Sequence, residues 1–180
     1  MQMNIGEIRT ERLALRPIGP QDLESTWAYA GDAENTRLMM FLPFDDLEET
    51  RRFLLECAAE WKAPRSDHYE LAILLDGAHI GAVSLYFDTE PEAVELGWVL
   101  NPRYQGKGYA AEAVRAAMNY AARRWGIHRF IACCDSENAP SQRLMRRLGM
   151  TLMDDAGKRK NRGSDEARTE FRYELELTEG

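Results

Sequence analysis

The chain has no apolar run that approaches the roughly 20 residues a membrane-spanning helix requires. Its first residues, Met1-Gln2-Met3-Asn4-Ile5-Gly6-Glu7, show no basic segment followed by an apolar core, so a secretory signal is not expected. Cysteine is scarce: three in 180 residues, with Cys133 and Cys134 adjacent, which supplies neither a disulfide framework nor a zinc site. Reduced thiols, a cytoplasmic location and no bound metal follow as expectations. Excess positive charge is also missing. A net charge of −7 argues against a nucleic-acid partner, whose binding comes mostly from basic residues on phosphates. There is no internal repeat, low-complexity tract or linker, so residues 1–180 are expected to form one domain.

What remains is an ordinary globular composition, 44% apolar and 29% charged. Basic residues cluster locally at Arg143, Arg146 and Arg147, and again at Lys158, Arg159, Lys160 and Arg162. Thr10 to Ile18 alternates like a strand, and Pro20 opens a short helix carrying Leu23, Trp27 and Ala30. Asp32 to Leu38 reads as a further helical turn. Asp46 heads a capping box for a helix reaching Lys62. Tyr69–Leu75 and His79–Phe87 read as strands joined through Asp76-Gly77, a strong hairpin signal, with Val94–Leu100 as the next strand. Ala110, Ala113, Val114, Ala117, Met118, Ala121 and Trp125 then share one face of a long helix. Phe130–Cys134 is a short strand, Asn138–Leu148 a helix stopped by Gly149, and Thr169–Leu177 an alternating strand. Asp154–Arg168 reads as a mobile polar loop. The mixture implies an α+β fold whose sheet is mostly antiparallel, with a parallel step around the glycine-led helix.

The segment Arg103-Tyr104-Gln105-Gly106-Lys107-Gly108-Tyr109-Ala110 lies between a strand and a helix. Two glycines let the backbone turn sharply and approach a ligand closely. The first amides of the helix lack internal partners and sit at the positive end of its dipole, which suits an anion such as a pyrophosphate. A simple helix start accounts for the loop alone equally well. Gly106-Lys-Gly108-Tyr-Ala-Ala111 also fits a relaxed dinucleotide fingerprint, but about a hundred residues with a hairpin precede it instead of a parallel β-α series. A Walker loop fits worse, because no Ser or Thr follows Lys107.

With these residues in hand, the sequence resembles the GNAT superfamily of acetyltransferases, and within it the RimJ/RimL branch. Arg103-x-x-Gly106-x-Gly108-Tyr109-Ala110 is similar to that family's pyrophosphate loop. Thr10-Glu11-Arg12-Leu13-Ala14-Leu15-Arg16-Pro17 is similar to the branch's opening strand, and Glu95-Leu96-Gly97-Trp98-Val99-Leu100 to the strand before the loop. Asn138-Ala-Pro-Ser141-x-Arg143-Leu144-x-x-Arg147-Leu148-Gly149-Met150 is similar to the helix that closes the cofactor cleft. The resemblance runs from Thr10 to Leu177. It implies a three-layer α/β/α arrangement around a twisted mixed sheet of about seven strands.

It further implies acetyl-CoA as cofactor. Arg103, Gln105 and the amides of Gly106, Lys107, Gly108, Tyr109 and Ala110 are then expected at the pyrophosphate. Trp98, Val99 and Leu100 are expected to offer backbone groups to the pantetheine arm, which lies like an added strand where the Val94–Leu100 and Phe130–Cys134 strands part. Asn138 is expected to bond the pantetheine, and Arg143, Arg146 or Arg147 a phosphate.

Acetyl transfer needs a neutral amine, whereas a lysine-type amine titrates near about 10.4. Members of the family often carry a base carboxylate on this strand, and the resemblance therefore makes Glu95 the candidate base. The family's usual tyrosine acid falls on Met145 here, so Ser141 stands as the nearest alternative donor, with a helix-interior hydroxyl as its plainer reading. His68, His79 and His128 fall at strand edges and are expected on the surface; Cys134 is expected to be packing. Among Trp27, Phe41, Phe44 and Trp61, one or two are expected to shape the acceptor pocket. The function expected is acetyl transfer from acetyl-CoA to a primary amine, a protein N-terminus such as a ribosomal protein's or a small amine such as an aminoglycoside or polyamine. A non-catalytic acyl-CoA-binding module is the alternative. The partner is that amine acceptor, with no membrane or nucleic acid, in a monomer or homodimer.

Overall fold

The computed structural model describes residues 7–178. Eight strands and four helices follow in the order β1 (Ile8–Arg9), β2 (Leu13–Pro17), α1 (Leu23–Ala30), α2 (Leu47–Glu60), β3 (His68–Leu75), β4 (Ala78–Tyr86), β5 (Ala93–Leu100), α3 (Tyr109–Trp125), β6 (Arg129–Asp135), α4 (Ala139–Arg147), β7 (Thr151–Lys160) and β8 (Ala167–Glu176). One sheet of order β1-β2-β3-β4-β5-β6-β8-β7 holds all eight strands, against the roughly seven that the resemblance implies. Every pairing is antiparallel except β5 with β6.

Alternation along the strands separates two apolar faces. Leu71, Ile73, Val83, Leu85, Val94 and Leu96 face Ala113, Val114, Ala117, Met118 and Ala121 of α3, with Met145 of α4 in the same core. Small residues on the other face, Ala72 and Ala82 with Val99, pack against Tyr29 and Ala30 of α1 and Leu54 of α2. The layers are therefore α1/α2, sheet, α3/α4. Asp46 caps α2 by accepting from the Glu49 amide at 2.7 Å, and Gly126 ends α3 in the left-handed region at φ +69.

One expectation needs correction and a second is narrowed. Asp154–Arg168 is not one long loop: only 161–166 connect strands, and Ala167 and Arg168 already belong to β8. Residues 154–160 belong to β7, which pairs with β8 through registers such as Lys158 with Thr169. β7 is an edge strand with nearly every residue exposed and register shifts after Leu152 and Asp154, so it carries no apolar alternation to read. Asp32–Leu38 holds a single α-type turn, closed by the Thr36 amide on the Asp32 carbonyl at 3.0 Å, within a run of turns that does not extend into a helix.

Candidate active site

The sheet is joined across β5 and β6 by three residue pairs: Ala93 with Arg129, Val94 with Phe130, and Glu95 with Ile131. Beyond them the strands separate, while β5 stays paired with β4 from Glu95 to Leu100. The β6-facing edge of Leu96–Leu100 is thereby left without a strand, as the resemblance leads one to expect.

At the end of β5 the chain passes a short turn at Pro102–Tyr104 and enters the glycine loop. Gly106 and Gly108 hold φ +75 and +83, a region that disfavours side chains, and Gly108 is the N-cap of α3. A Cβ at Gly106 would meet nothing within 4 Å, so the loop is open above it. A Cβ at Gly108 would sit 3.4 Å from Arg12 Nη2 and 3.5 Å from Arg147 Nη1. Two guanidiniums thus converge on a left-handed turn whose following amides, of Tyr109 and Ala110, have no intrahelical acceptor. That combination fits a diphosphate.

Arg12 does more than lend charge. Its Nη1 donates to the Lys107 carbonyl at 3.0 Å and its Nε to Glu112 Oε2 at 2.7 Å, and its guanidinium lies 4.7 Å over the Tyr109 ring. Glu112 Oε1 in turn accepts from the Arg12 amide at 2.9 Å. The bend between β1 and β2 therefore latches the loop to α3. Contacts separated by a hundred residues leave no trace in the sequence pattern.

The other expected phosphate and pantetheine residues differ in availability. Arg147 lies beside Gly108, and Arg143 is exposed without a partner among the described residues. Arg146 is engaged internally, with Nη2 3.1 Å from the Tyr173 hydroxyl and 3.4 Å from Gln142 Oε1. Arg103 is exposed at the turn. Gln105 folds back, its Nε2 donating to Asn35 Oδ1 at 2.8 Å and to the Leu100 carbonyl at 3.1 Å. Asn35, which the sequence did not single out, also donates to that carbonyl at 3.2 Å, so Leu100 O is already taken. Asn138 Oδ1 caps α4 by accepting from the Ser141 amide at 3.1 Å, which leaves its Nδ2 for another acceptor.

A cavity of about 380 Å³ opens on the α1/α2 side of the split, within the usual range for small-molecule sites. Glu95, Gly97, Trp98, Val99, Asn138 and Ser141 line it together, so the proposed base and acid share one chamber. Glu95 has no hydrogen-bond partner among the described residues; burial first and the charge of Glu170 second push its carboxyl above the usual range. Gly97 leaves room here, because a Cβ would come within 3.2 Å of Ser84 Oγ. Met145, at the position of the family's tyrosine, is fully buried in the core.

Cys133 and Cys134 also line the cavity, but burial pushes their thiols up to about 12 and about 11, so neither is a ready nucleophile. Phe41 and Phe44 shape the cavity wall, whereas Trp61 is core. Two histidines contradict the surface reading. His68 lines the cavity and bonds Glu70 Oε2 at 3.1 Å. His79 is buried, its Nδ1 2.7 Å from Ser25 Oγ and its Nε2 2.8 Å from the Gly81 carbonyl. Glu70 was missed too; its signal was a carboxylate inside the apolar run Tyr69–Leu75. No helix of the described residues is long and apolar enough to cross a membrane, and those residues form no cluster of metal-ligating side chains.

Comparison with known proteins agrees with this geometry. The model of the acetyltransferase (GNAT) domain matches residues 12–151. The uncharacterized N-acetyltransferase YnaD of Bacillus subtilis is 32% identical over 146 residues, 79% of this chain and 81% of that one. A GNAT-family acetyltransferase structure from Bacillus anthracis superposes with a TM-score of 0.81 at 29% identity, covering 95% of this chain and 98% of that one. RimL, a ribosomal L7/L12 α-N-protein acetyltransferase solved with coenzyme A, shares the fold with a TM-score of 0.83 at 21% identity over 96% and 98% of the two chains. The family match spans most of the chain and takes in the split strands, the glycine loop and the helix beyond them: this protein belongs to the GNAT acetyltransferases.

Proposed function

We propose that this acetyltransferase moves the acetyl group of acetyl-CoA directly to a primary amine, in a complex that holds both reactants at once. The observation that carries the reading is the parting of β5 and β6 immediately after Glu95, with an anion cradle at the far end of β5. The backbone edge of Leu96–Val99 holds the pantetheine arm, with the Asn138 amide as a further donor, and the Gly106–Ala110 amides with Arg12 and Arg147 hold the pyrophosphate. The amine, a protein N-terminal α-amine or a small amine, enters the cavity from the α1/α2 side.

In this arrangement Glu95 takes a proton from the incoming ammonium, and the raised affinity of its carboxyl for protons favours that transfer. The neutral nitrogen attacks the thioester carbonyl, a C–N bond forms, the nitrogen gives its second proton to solvent, and the C–S bond breaks as the tetrahedral intermediate collapses. The sulfur leaves as thiolate and takes its proton from solvent, either directly or through the Ser141 hydroxyl, which regains its own from solvent.

The test is release of free thiol from acetyl-CoA with an amine panel, with CoA affinity measured by calorimetry. Gly108→Asp places a negative charge in the cradle and is expected to abolish CoA binding. Retained affinity would remove the loop from the site. A second reading, an acyl-CoA-binding module without turnover, draws on Met145 being core where a tyrosine acid would stand. CoA binding without acetylation of any amine would favour it.

A further inference from the structure

The sheet floor of the acceptor cavity carries a second polar cluster, two strands away from Glu95. Glu95 in β5 is paired opposite Tyr86 in β4, and Tyr86 opposite His68 in β3; Glu70 is paired opposite Ser84. All five side chains line the cavity. Strand spacing and rise put the Cα atoms of Glu95 and Glu70 about 12 Å apart on one face.

The Glu70 side chain is 6% exposed, yet it lines the cavity. Its Oε2 accepts from His68 Nε2 at 3.1 Å, and Oε1 has no donor among the described residues. The strand is fixed at this point, because the Glu70 carbonyl accepts from the Trp61 indole at 2.7 Å and from the Ile18 amide at 3.1 Å. Around the carboxylate runs a chain of rings. His68 stacks on Tyr86 at 4.7 Å; Phe41 lies 6.2 Å from Tyr86, and Phe53 lies 6.4 Å from His68 and 5.1 Å from Phe44. Arg159, the one arginine among the lining residues, is engaged with Glu170 at 3.2 Å and Asn161 at 2.9 Å.

A buried carboxylate with one oxygen open, set among aromatic faces, is the chemistry that receives an organic cation. We infer that the acceptor carries a second ammonium group, received by Glu70 among these rings while the reacting amine lies at Glu95; the preferred acceptor is a small alkyl diamine. His68 is the positioning residue that holds Glu70. The inference rests on the acetyltransferase reading above and narrows its acceptor.

The experiment compares hexamethylenediamine with hexylamine and aminohexanol, using the intact enzyme and acetyl-CoA at about pH 9, above the ordinary imidazole range. The diamine is expected to show a KM at least about tenfold lower than either control, the effect of one charge-assisted bond. Glu70→Gln is expected to erase that preference while leaving kcat and the hexylamine KM within about twofold. Phe41, 67% exposed at the cavity mouth, provides a second variant free of folding trouble, and Phe41→Ala is expected to reduce the preference. Calorimetric titration of the diamine and hexylamine into the unreactive CoA complex measures the same preference without turnover. No preference for the diamine in that complex, or an equal effect of Glu70→Gln on all three amines, overturns the inference. A preference in the CoA complex with no turnover of any amine would instead overturn the catalytic proposal and leave the cation site standing.

Discussion

Glu95 combines burial, an open side chain and a place at the vertex of the split sheet, and each property has a measurable consequence. As a base it must be ionised, so the acid limb of the kcat profile is expected above the ordinary carboxylate range, in the direction that burial and Glu170 push it. Glu95→Gln is expected to lower kcat by about 100-fold or more with unchanged CoA affinity. The stability effect has the opposite sign. A carboxyl whose folded affinity for protons is raised loses stability as pH climbs from its unfolded value through its folded one. The variant is therefore expected to melt no lower than the parent at neutral pH and to show no gain at about pH 3. Asp135, fully buried at the end of β6, is the converse case. Burial would raise it, but Arg168, the Glu137 amide and Asn161 outweigh burial and hold its carboxyl at about 2. Its contribution is complete above the usual value and lost as pH falls from about 4 to about 2; Asp135→Asn is expected to flatten melting temperature across that window. At this scale Glu95 and Ser141 were singled out by the family resemblance alone, and the structure sets both on the wall of one cavity. The sequence did not reveal Glu70, whose pairing with His68 is visible only when β3 is extended.

Elements with strong local rules were read correctly: α2 from its Asp46 cap, the β3–β4 hairpin from Asp76-Gly77, and α3 from its apolar stripe. β7 escaped because an exposed edge strand has no face to bury. Yet the β7–β8 hairpin braces the segment between α1 and α2 that walls the cavity. Arg159 Nη2 reaches the Leu38 carbonyl at 3.4 Å, the Arg162 amide donates to the Met39 carbonyl at 3.1 Å, and Arg162 Nη2 lies 2.8 Å from Glu49 Oε1. Arg162→Ala is expected to speed limited proteolysis of residues 39–45 without moving the global melt by more than about a degree, since exposed ion pairs contribute little. The Arg12 latch makes a matching case on the cofactor side. Arg12→Ala is expected to weaken CoA binding about fivefold with the far-UV spectrum unchanged, and Arg12→Lys to recover part of the loss by keeping the charge without the two-pronged contact.

For the molecule as a whole, the β-α-β-α order that begins with β5 told of a parallel step, and the hairpin before it told of antiparallel strands. The sheet's division could not be read from strand lengths, because it depends on where pairing stops. CoA at 100 times its dissociation constant is expected to stabilise the protein by about 2.7 kcal/mol, and a nicotinamide dinucleotide at the same concentration by much less; equal shifts in a thermal melt would contradict the cradle's assignment.

A sheet fastened across its middle by three residue pairs at one end resembles two leaves on a short spine. On the binding mode proposed above, the arm of CoA would slip between the leaves, supply the missing rungs and turn them into one plate. Amides along 96–100 should then exchange with deuterium fastest in the empty protein, and the molecule should be stiffest at the moment it is loaded to react.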